Sequence, residues 1–497
     1  MTEILANLMG GLVRAVSLTN LGFLIFGGTL GTILGMLPGL GPATGVAVLL
    51  PLTFVLPADT AMITLSAIYY GAMFGGSRSS ILINTPGDGA AIAATFDGYP
   101  MTLNGEAESA LGMAAIASLI GGLISVVFMI FLAQPIAGFA IKFGSAEMFL
   151  LMLFAFSATV SITRGSPLKG LISLSFGLLI STVGQDLQTG IIRFTFGLAP
   201  LQSGIDFLIV IIGIYAIGEV LYNFESIHIA VKKVQKTFDR IWVTMDEFKR
   251  SIVPILRATP IGFIVGVLPG SGGTLGSLLA YNTEKQLNKN GDKFGTGMIE
   301  GVASPEAANN AAATGALIPL LTLGIPGSGT TAVMMGALMM LGLEPGPLLF
   351  ENQSDLVWTL MASMIVGNII VAIINLPFAE ILVRVLAVPK KILFTIILGL
   401  GFLGTYTFNY NTFDLYVLII FGIIGYLMKK FNFPITPLIL AVIIGGQTEN
   451  AFRRALQISG GSFGVFFDSP IALVLIGLTI LSTLSPFFIS KISNNSH

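Results

Sequence analysis

Gly35-Met-Leu-Pro-Gly-Leu-Gly-Pro-Ala-Thr-Gly45 and Gly266-Val-Leu-Pro-Gly-Ser-Gly-Gly-Thr-Leu-Gly276 are two versions of one phrase. Each is followed by a second break of the same kind, Thr85-Pro-Gly-Asp-Gly89 after the first and Ile325-Pro-Gly-Ser-Gly329 after the second. Proline removes a backbone donor and ends a helix, and glycine lets the chain turn with no side chain in the way. All four breaks, at Pro38, Pro86, Pro269 and Pro326, interrupt strongly apolar sequence. At hydrocarbon depth such backbone is tolerated only where it is buried in protein or lines a wet cavity.

The surrounding composition points to a bilayer. Of 497 residues 54% are hydrophobic and only 10% charged, against roughly 25% charged in an average soluble domain. Mean hydropathy is +0.90. At roughly 20 apolar residues per span, the chain reads as an all-α polytopic membrane protein of about twelve transmembrane helices, some of them broken or re-entrant. Basic and acidic residues balance, 24 against 25, which argues against a nucleic-acid partner. Cysteine is absent and the two histidines are His228 and the terminal His497, so thiolate chemistry and a His relay are excluded. No Walker A or H-E-x-x-H pattern occurs and no histidine stands ready to activate a serine, so no enzyme activity or organic cofactor is expected. The first residues carry Glu3 before any Lys or Arg, so no cleavable signal peptide is expected.

The breaks divide the chain into residues 1–222, a first transmembrane repeat; 223–250, a basic loop; and 251–497, a second repeat with C-terminal helices. The loop and the start of the next segment hold Lys232, Lys233, Lys236, Arg240, Lys249, Arg250 and Arg257, which places the loop in the cytoplasm. Within it Val234, Phe238, Ile241, Trp242, Met245 and Phe248 recur every three or four residues; an amphipathic surface helix and a solvated linker both fit. Lys285, Lys289 and Lys293 follow the third break, whereas the matching turn in the first half has none. Equivalent loops of opposite Lys content favour two inverted-topology repeats, with residues 252–281 as a re-entrant hairpin entered from the cytoplasm.

Polar residues gather at the breaks. Helix N-termini there offer N–H groups to an anion, and freed carbonyls offer oxygens to a cation. The expected substrate-binding set is Gly39, Gly41, Ser77, Arg78, Asn84, Thr85, Gly87, Ser271, Gly272, Thr274, Ser328, Gly329 and Thr330. Arg78 either clamps a carboxylate with its planar fork, pairs with Asp88, or snorkels to an interface. Asp88, Asn309, Asn310 and Thr314 form the expected cation-coupling set, with Asp88 and Asn310 the candidate metal ligands for Na+; Asp88 alternatively carries a proton. Ser304 reads as an N-cap with Pro305 at the first helical position, followed by a polar stripe of Glu306, Asn310 and Thr314. A non-transporting scaffold, or an intramembrane enzyme with Asp88 and Asp97 as an acid pair, is the rival reading.

At these residues the chain resembles the large membrane subunit of the tripartite tricarboxylate transporters, the TctA family. The matching stretches are Gly35-Met-Leu-Pro-Gly-Leu-Gly-Pro, Tyr70-Gly-Ala-Met-Phe-Gly-Gly, Asn84-Thr-Pro-Gly, Phe96-Asp-Gly-Tyr-Pro-Met101, Gly301-Val-Ala-Ser-Pro-Glu-Ala-Ala-Asn-Asn310, Pro319-Leu-Leu-Thr-Leu-Gly-Ile-Pro-Gly327, Gly346-Pro-Leu-Leu-Phe350 and Glu449-Asn-Ala-Phe-Arg-Arg-Ala455. The resemblance implies a secondary transporter of the bacterial inner membrane that imports a di- or tricarboxylate such as citrate, driven by a Na+ or H+ gradient. It implies two partners, a small four-helix membrane subunit and a periplasmic solute-binding protein. It also implies kinship with elevator-type ion transporters built from re-entrant hairpins and broken helices. Asp88 is the departure from what an anion site needs, because a carboxylate there repels the substrate unless it is protonated or holds a cation.

Overall fold

A computed structural model describes residues 2–37, 39–162, 166–186, 188–225, 243–270, 272–376 and 390–494. Pro38, Ser271, both histidines and the basic stretch from Lys232 through Trp242 lie outside the described residues, and with them most of the expected surface helix.

Among the described residues the protein is all-helical apart from one short hairpin. In chain order the helices are α1 (Thr2–Ala15), α2 (Leu18–Met36), α3 (Pro42–Leu49), α4 (Ala58–Ile83), α5 (Ile92–Leu103), α6 (Ala107–Ala140), α7 (Ser145–Ile162) and α8 (Pro167–Ser181). The hairpin β1 (Gly184–Gln185) and β2 (Ile192–Arg193) follows, with Gly184 paired to Arg193. Then come α9 (Phe207–Glu225), α10 (Met245–Val267), α11 (Gly272–Leu287), α12 (Glu300–Gly315), α13 (Leu317–Leu323) and α14 (Gly329–Met340). The chain closes with α15 (Ser354–Asn375), α16 (Lys390–Asn409), α17 (Thr412–Lys430), α18 (Ile435–Ile458) and α19 (Pro470–Asn494). Among the described residues eight helices are long and apolar enough to cross a membrane, and five shorter apolar ones accompany them. The chain is therefore a multi-pass membrane protein. The breaks at Pro38 and Pro326 account for two of the shorter ones, Pro42–Thr53 and Gly329–Met340, which they cut below spanning length.

Glycine sets the packing of the two central helix pairs. A Cβ on Gly31 or Gly35 of α2 would run into the backbone of Ile68 or Ala72 on α4, and one on Gly262 or Gly266 of α10 into Ala308 or Ala312 on α12. Small residues spaced four apart let backbones touch, which is how helices associate where lipid supplies no hydrophobic drive. In both halves the helix leading into the first break is thereby held against the helix leading toward the second.

The breaks repeat in backbone geometry as well as in sequence. Leu37 and Leu268, which end α2 and α10, are both extended (φ −83°, ψ 120° and φ −76°, ψ 125°). Gly39 and Gly270 then take φ of +86° and +78°. Asn84 and Gly324, the C-caps of α4 and α13, are both left-handed (φ 54° and 68°).

One expected helix start is corrected. Ser304 and Pro305 lie inside α12, which begins at Glu300. The loop before it is tied to α5: the buried Asp97 accepts the N–H groups of Gly295 (2.8 Å), Gly297 (2.9 Å) and Met298 (2.8 Å) and the Tyr281 hydroxyl (2.8 Å). The N–H groups of Gly301 and Ala303 bond to the Met298 and Ile299 carbonyls, which starts the helix upstream of Ser304, and Ser304 Oγ donates to the Ala280 carbonyl.

Candidate substrate site

The four breaks meet around one cavity of about 470 Å³, within the usual range for small-molecule sites. Their contacts form a chain. A Cβ on Gly41 of the first break would meet Asp88 of the second at 3.2 Å, and one on Gly89 would meet Thr274 Oγ1 of the third at 2.5 Å. The third joins the fourth through the Gly270 N–H, which donates to the Gly327 carbonyl at 3.0 Å. Tyr69 of α4 closes on the fourth, its hydroxyl 3.5 Å from Ser328 Oγ.

Helix beginnings face this space. The first residues of α3, α11 and α14, and the turn leading into α5, all line it, so unpaired N–H groups and positive dipole ends converge there. Ser328 caps α14 through the Thr331 N–H at 3.2 Å. Asp88, which stands at the matching place in its own break, accepts the Ala91 N–H at 3.1 Å. Its carboxylate is thus partly met by a helix start, as an N-cap aspartate is.

Of the expected substrate-binding residues, Gly39, Gly41, Gly87, Gly272, Thr274, Ser328, Gly329 and Thr330 line the cavity, and so does Asp88. Asn84 and Thr85 do not; both are exposed, and Thr85 Oγ1 donates to the Ile83 carbonyl. Ser77 and Arg78 border a separate, far smaller cavity with Ser118, Glu306 and Asn375. Arg78 donates from Nε to Asn375 Oδ1 at 2.8 Å and from Nη2 to the Asn375 carbonyl. It pairs with no carboxylate among the described residues, so the expected Arg78–Asp88 alternative is absent. Helix α4 continues to Ile83 past both residues, and their side chains therefore leave its flank instead of its end. Asn309, Asn310 and Thr314 are fully buried on α12 and do not line the large cavity. Asn309 nonetheless lies directly behind it, for a Cβ on Gly273 would meet Asn309 Oδ1 at 2.7 Å. Asp97 and Asp88 do not converge; Asp97 is spent on the loop before α12.

Tyr215, Glu219 and Lys429 are among the lining residues missed in the sequence. Tyr215 and Glu219 come from α9, whose middle, Ile212–Ile217, is π-helical; such widened turns recur at functional sites. Lys429, from the end of α17, forms an ion pair with Glu219. Glu219 Oε1 also accepts from Asn223 Nδ2 at 2.7 Å. An acid inside an apolar helix is itself a signal, and Glu219 carried it; Lys429 reads as an ordinary positive flank. Among the described lining residues the charged groups are Asp88, Glu219 and Lys429, two acids and one base.

Residues 21–440 match the model of the Tripartite tricarboxylate transporter TctA family. The chain belongs to this family. It is thus of the type that serves as a membrane component of tripartite tricarboxylate transporters, which transport and do not catalyse. A relative from Agrobacterium vitis, described as an uncharacterized 52.8 kDa protein in the TAR-I ttuC′ 3′ region, is 40% identical over 497 residues, 99% of this chain and 98% of its own length. A second from the same organism, described as an uncharacterized protein in the TAR-II ttuC′ 3′ region, is 43% identical over 223 residues, 45% of this chain and 92% of its own length. No solved structure matches the chain.

Proposed function

We propose that this TctA-family chain is the membrane subunit of a secondary active transporter that imports a di- or tricarboxylate of the citrate type across the bacterial inner membrane. It is coupled to a Na+ or H+ gradient and works with a small four-helix membrane subunit and a periplasmic solute-binding protein. One observation carries the reading: four helix breaks ring a cavity whose described charged lining is two carboxylates and one ammonium. Helix N-termini, hydroxyls of Thr274, Ser328 and Thr330, and Lys429 suit a carboxylate. The surplus acid opposes one unless positive charge enters too, so transport of an anion through this cavity requires a co-bound cation.

The repeated backbone geometry at Leu37 and Leu268, Gly39 and Gly270, and Asn84 and Gly324 supports two structural repeats. Their inversion is supported by charge. The open end of the α10–α11 hairpin carries three bases, Lys249, Arg250 and Lys285, whereas the start of α2 has beside it one, Arg14, paired with Asp355. The two hairpins then enter from opposite faces, with the cavity between their tips.

The test is counterflow of labelled citrate and shorter dicarboxylates in proteoliposomes holding the chain, the small membrane subunit and the binding protein, with and without an imposed Na+ gradient and, separately, an imposed proton gradient. Uptake of at least one carboxylate that depends on an imposed Na+ or proton gradient is expected. Flat traces for every carboxylate under both gradients overturn the reading.

A further inference from the structure

Glu306 is a buried carboxylate to which the cavity gives no role. It lies at the middle of α12, 1% exposed. Ser77 of α4 donates to its Oε2 at 2.5 Å and Ser118 of α6 at 3.3 Å. Its Oε1 has no hydrogen-bond partner, and no cation lies within ion-pair distance among the described residues. Arg78, next in the chain to Ser77, is turned to Asn375. An isolated ionised carboxylate in such surroundings costs far more than two hydroxyl hydrogen bonds return.

The unmet acceptors continue along the same seam. One turn on, Asn310 Nδ2 donates to the Glu306 carbonyl at 3.2 Å, which leaves its Oδ1 aimed away from its own backbone and unpartnered. A further turn on, Thr314 lies beside the Tyr70 hydroxyl of α4. Ser77 opposite Glu306 and Tyr70 opposite Thr314 make α4 and α12 antiparallel here, with Asn310 between the two contacts. Oxygens that lack donors, around one unneutralised acid, are what a small cation needs. No group of three or more acids or histidines suited to a multivalent metal occurs among the described residues.

We propose that the α4–α12 seam binds one monovalent cation, with the Glu306 carboxylate as its charged ligand and Asn310 Oδ1 and the Ser77 hydroxyl oxygen as neutral ones. The site is separate from the substrate cavity. It deepens the transport reading, on which its role in coupling rests, by moving the coupling charge from Asp88 to Glu306. The charge is a proton on Glu306 or Na+ among these oxygens. The other charged groups around it are these. Arg78 of α4 donates to Asn375 from Nε and Nη2 and leaves Nη1 without a partner at the same small cavity. Asp88 lies in the large cavity, and Asp97 of α5 holds the loop before α12. On α10 and α11, Arg257 pairs with Glu284, and Arg250 with Glu300 at the start of α12.

Thermal unfolding of the purified full-length chain in detergent tests this without substrate. One arm replaces choline chloride by NaCl at constant ionic strength and about pH 8; the other lowers the pH from about 8 to about 6 without Na+. The wild type is expected to gain a midpoint rise in one arm, which names the cation. Glu306→Gln is expected to lose that response, and Asp88→Asn to keep it. A response that persists in Glu306→Gln, that vanishes in Asp88→Asn, or that the wild type lacks in both arms overturns the proposal. Should Glu306→Gln not fold, Ser77→Ala and Asn310→Ala decide: a weakened response in either supports the site, and an unchanged one in both overturns it. Because no carboxylate is present, a positive result here beside flat counterflow traces separates failure of the transport reading from failure of the site.

Discussion

Lys429, at the end of α17, is ion-paired with Glu219 of α9 at the wall of the cavity. Glu219 is almost wholly buried, whereas Lys429 keeps 28% of its side chain accessible. The ammonium is therefore the half of the pair a substrate can reach. Lys429→Met should abolish carboxylate counterflow and also destabilise the chain, because breaking a buried pair on one side costs about 3–5 kcal/mol. The double variant Lys429→Met/Glu219→Gln should recover the thermal midpoint without recovering counterflow. Recovery of both would make the pair purely structural.

Asp88→Asn keeps a side-chain oxygen for the Ala91 N–H, so its unfolding midpoint should stay near that of the wild type. Asp88→Ala loses the cap and should cost about 1 kcal/mol. With one negative charge gone from the lining, Asp88→Asn should lower the KM for the more highly charged carboxylates, read as the ratio of tricarboxylate to dicarboxylate counterflow.

Asp97 gathers three N–H groups and the Tyr281 hydroxyl across the two halves of the chain. Asp97→Ala strands the Met298 N–H and the Tyr281 hydroxyl in the interior, each unmet group costing about 1–3 kcal/mol. Its folded yield should collapse, while Asp97→Asn, which retains an acceptor, should be the milder change. Size-exclusion profiles of the two variants in detergent check the order.

A methyl at Gly31 has no room beside the Ile68 backbone, whereas one at Gly22 on the same helix meets nothing within 4 Å. Gly31→Ala should cost about 1–3 kcal/mol through overpacking, and Gly22→Ala should be neutral or slightly stabilising through helix propensity. Their thermal midpoints, measured side by side, test the α2–α4 contact.

Outside the membrane-spanning helices, Arg453 and Thr189 hold the Asp186 carboxyl well below the usual carboxylate range, with the Gln188 N–H adding to them. A depressed folded-state value means the stabilisation is complete above the unfolded-state value of about 4 and is lost as the pH falls below it. Hydrogen exchange across residues 184–206 should thus be flat from about pH 7 to 5 and accelerate relative to the intrinsic rate only under stronger acid. Asp186→Asn should remove that added acid sensitivity.

The helix breaks were readable because proline and glycine act on their own backbone. Four Pro-Gly-x-Gly runs dictate interruptions wherever they fall, and the low charge places the chain as a whole in lipid. The glycines at four-residue spacing likewise carry their close packing within the sequence. Family membership was legible for the same reason, since its motifs are these local phrases. Ser77 and Arg78 were misplaced by proximity along the chain. They precede the break by about two helical turns, near 12 Å at 1.5 Å per residue, which is far enough to serve a different cavity.

What the sequence by itself determined is thus the set of local events: apolar spans, breaks and the anion-binding potential of helix starts. Only the tertiary structure decided which charges meet. Glu219 finds Lys429, Glu306 finds Ser77, and Asp97 holds a loop some two hundred residues away. Electrostatic and hydrogen-bonding partners are chosen by distance in space, and no periodicity along the chain encodes which helix flanks will be pressed together once the backbones pack.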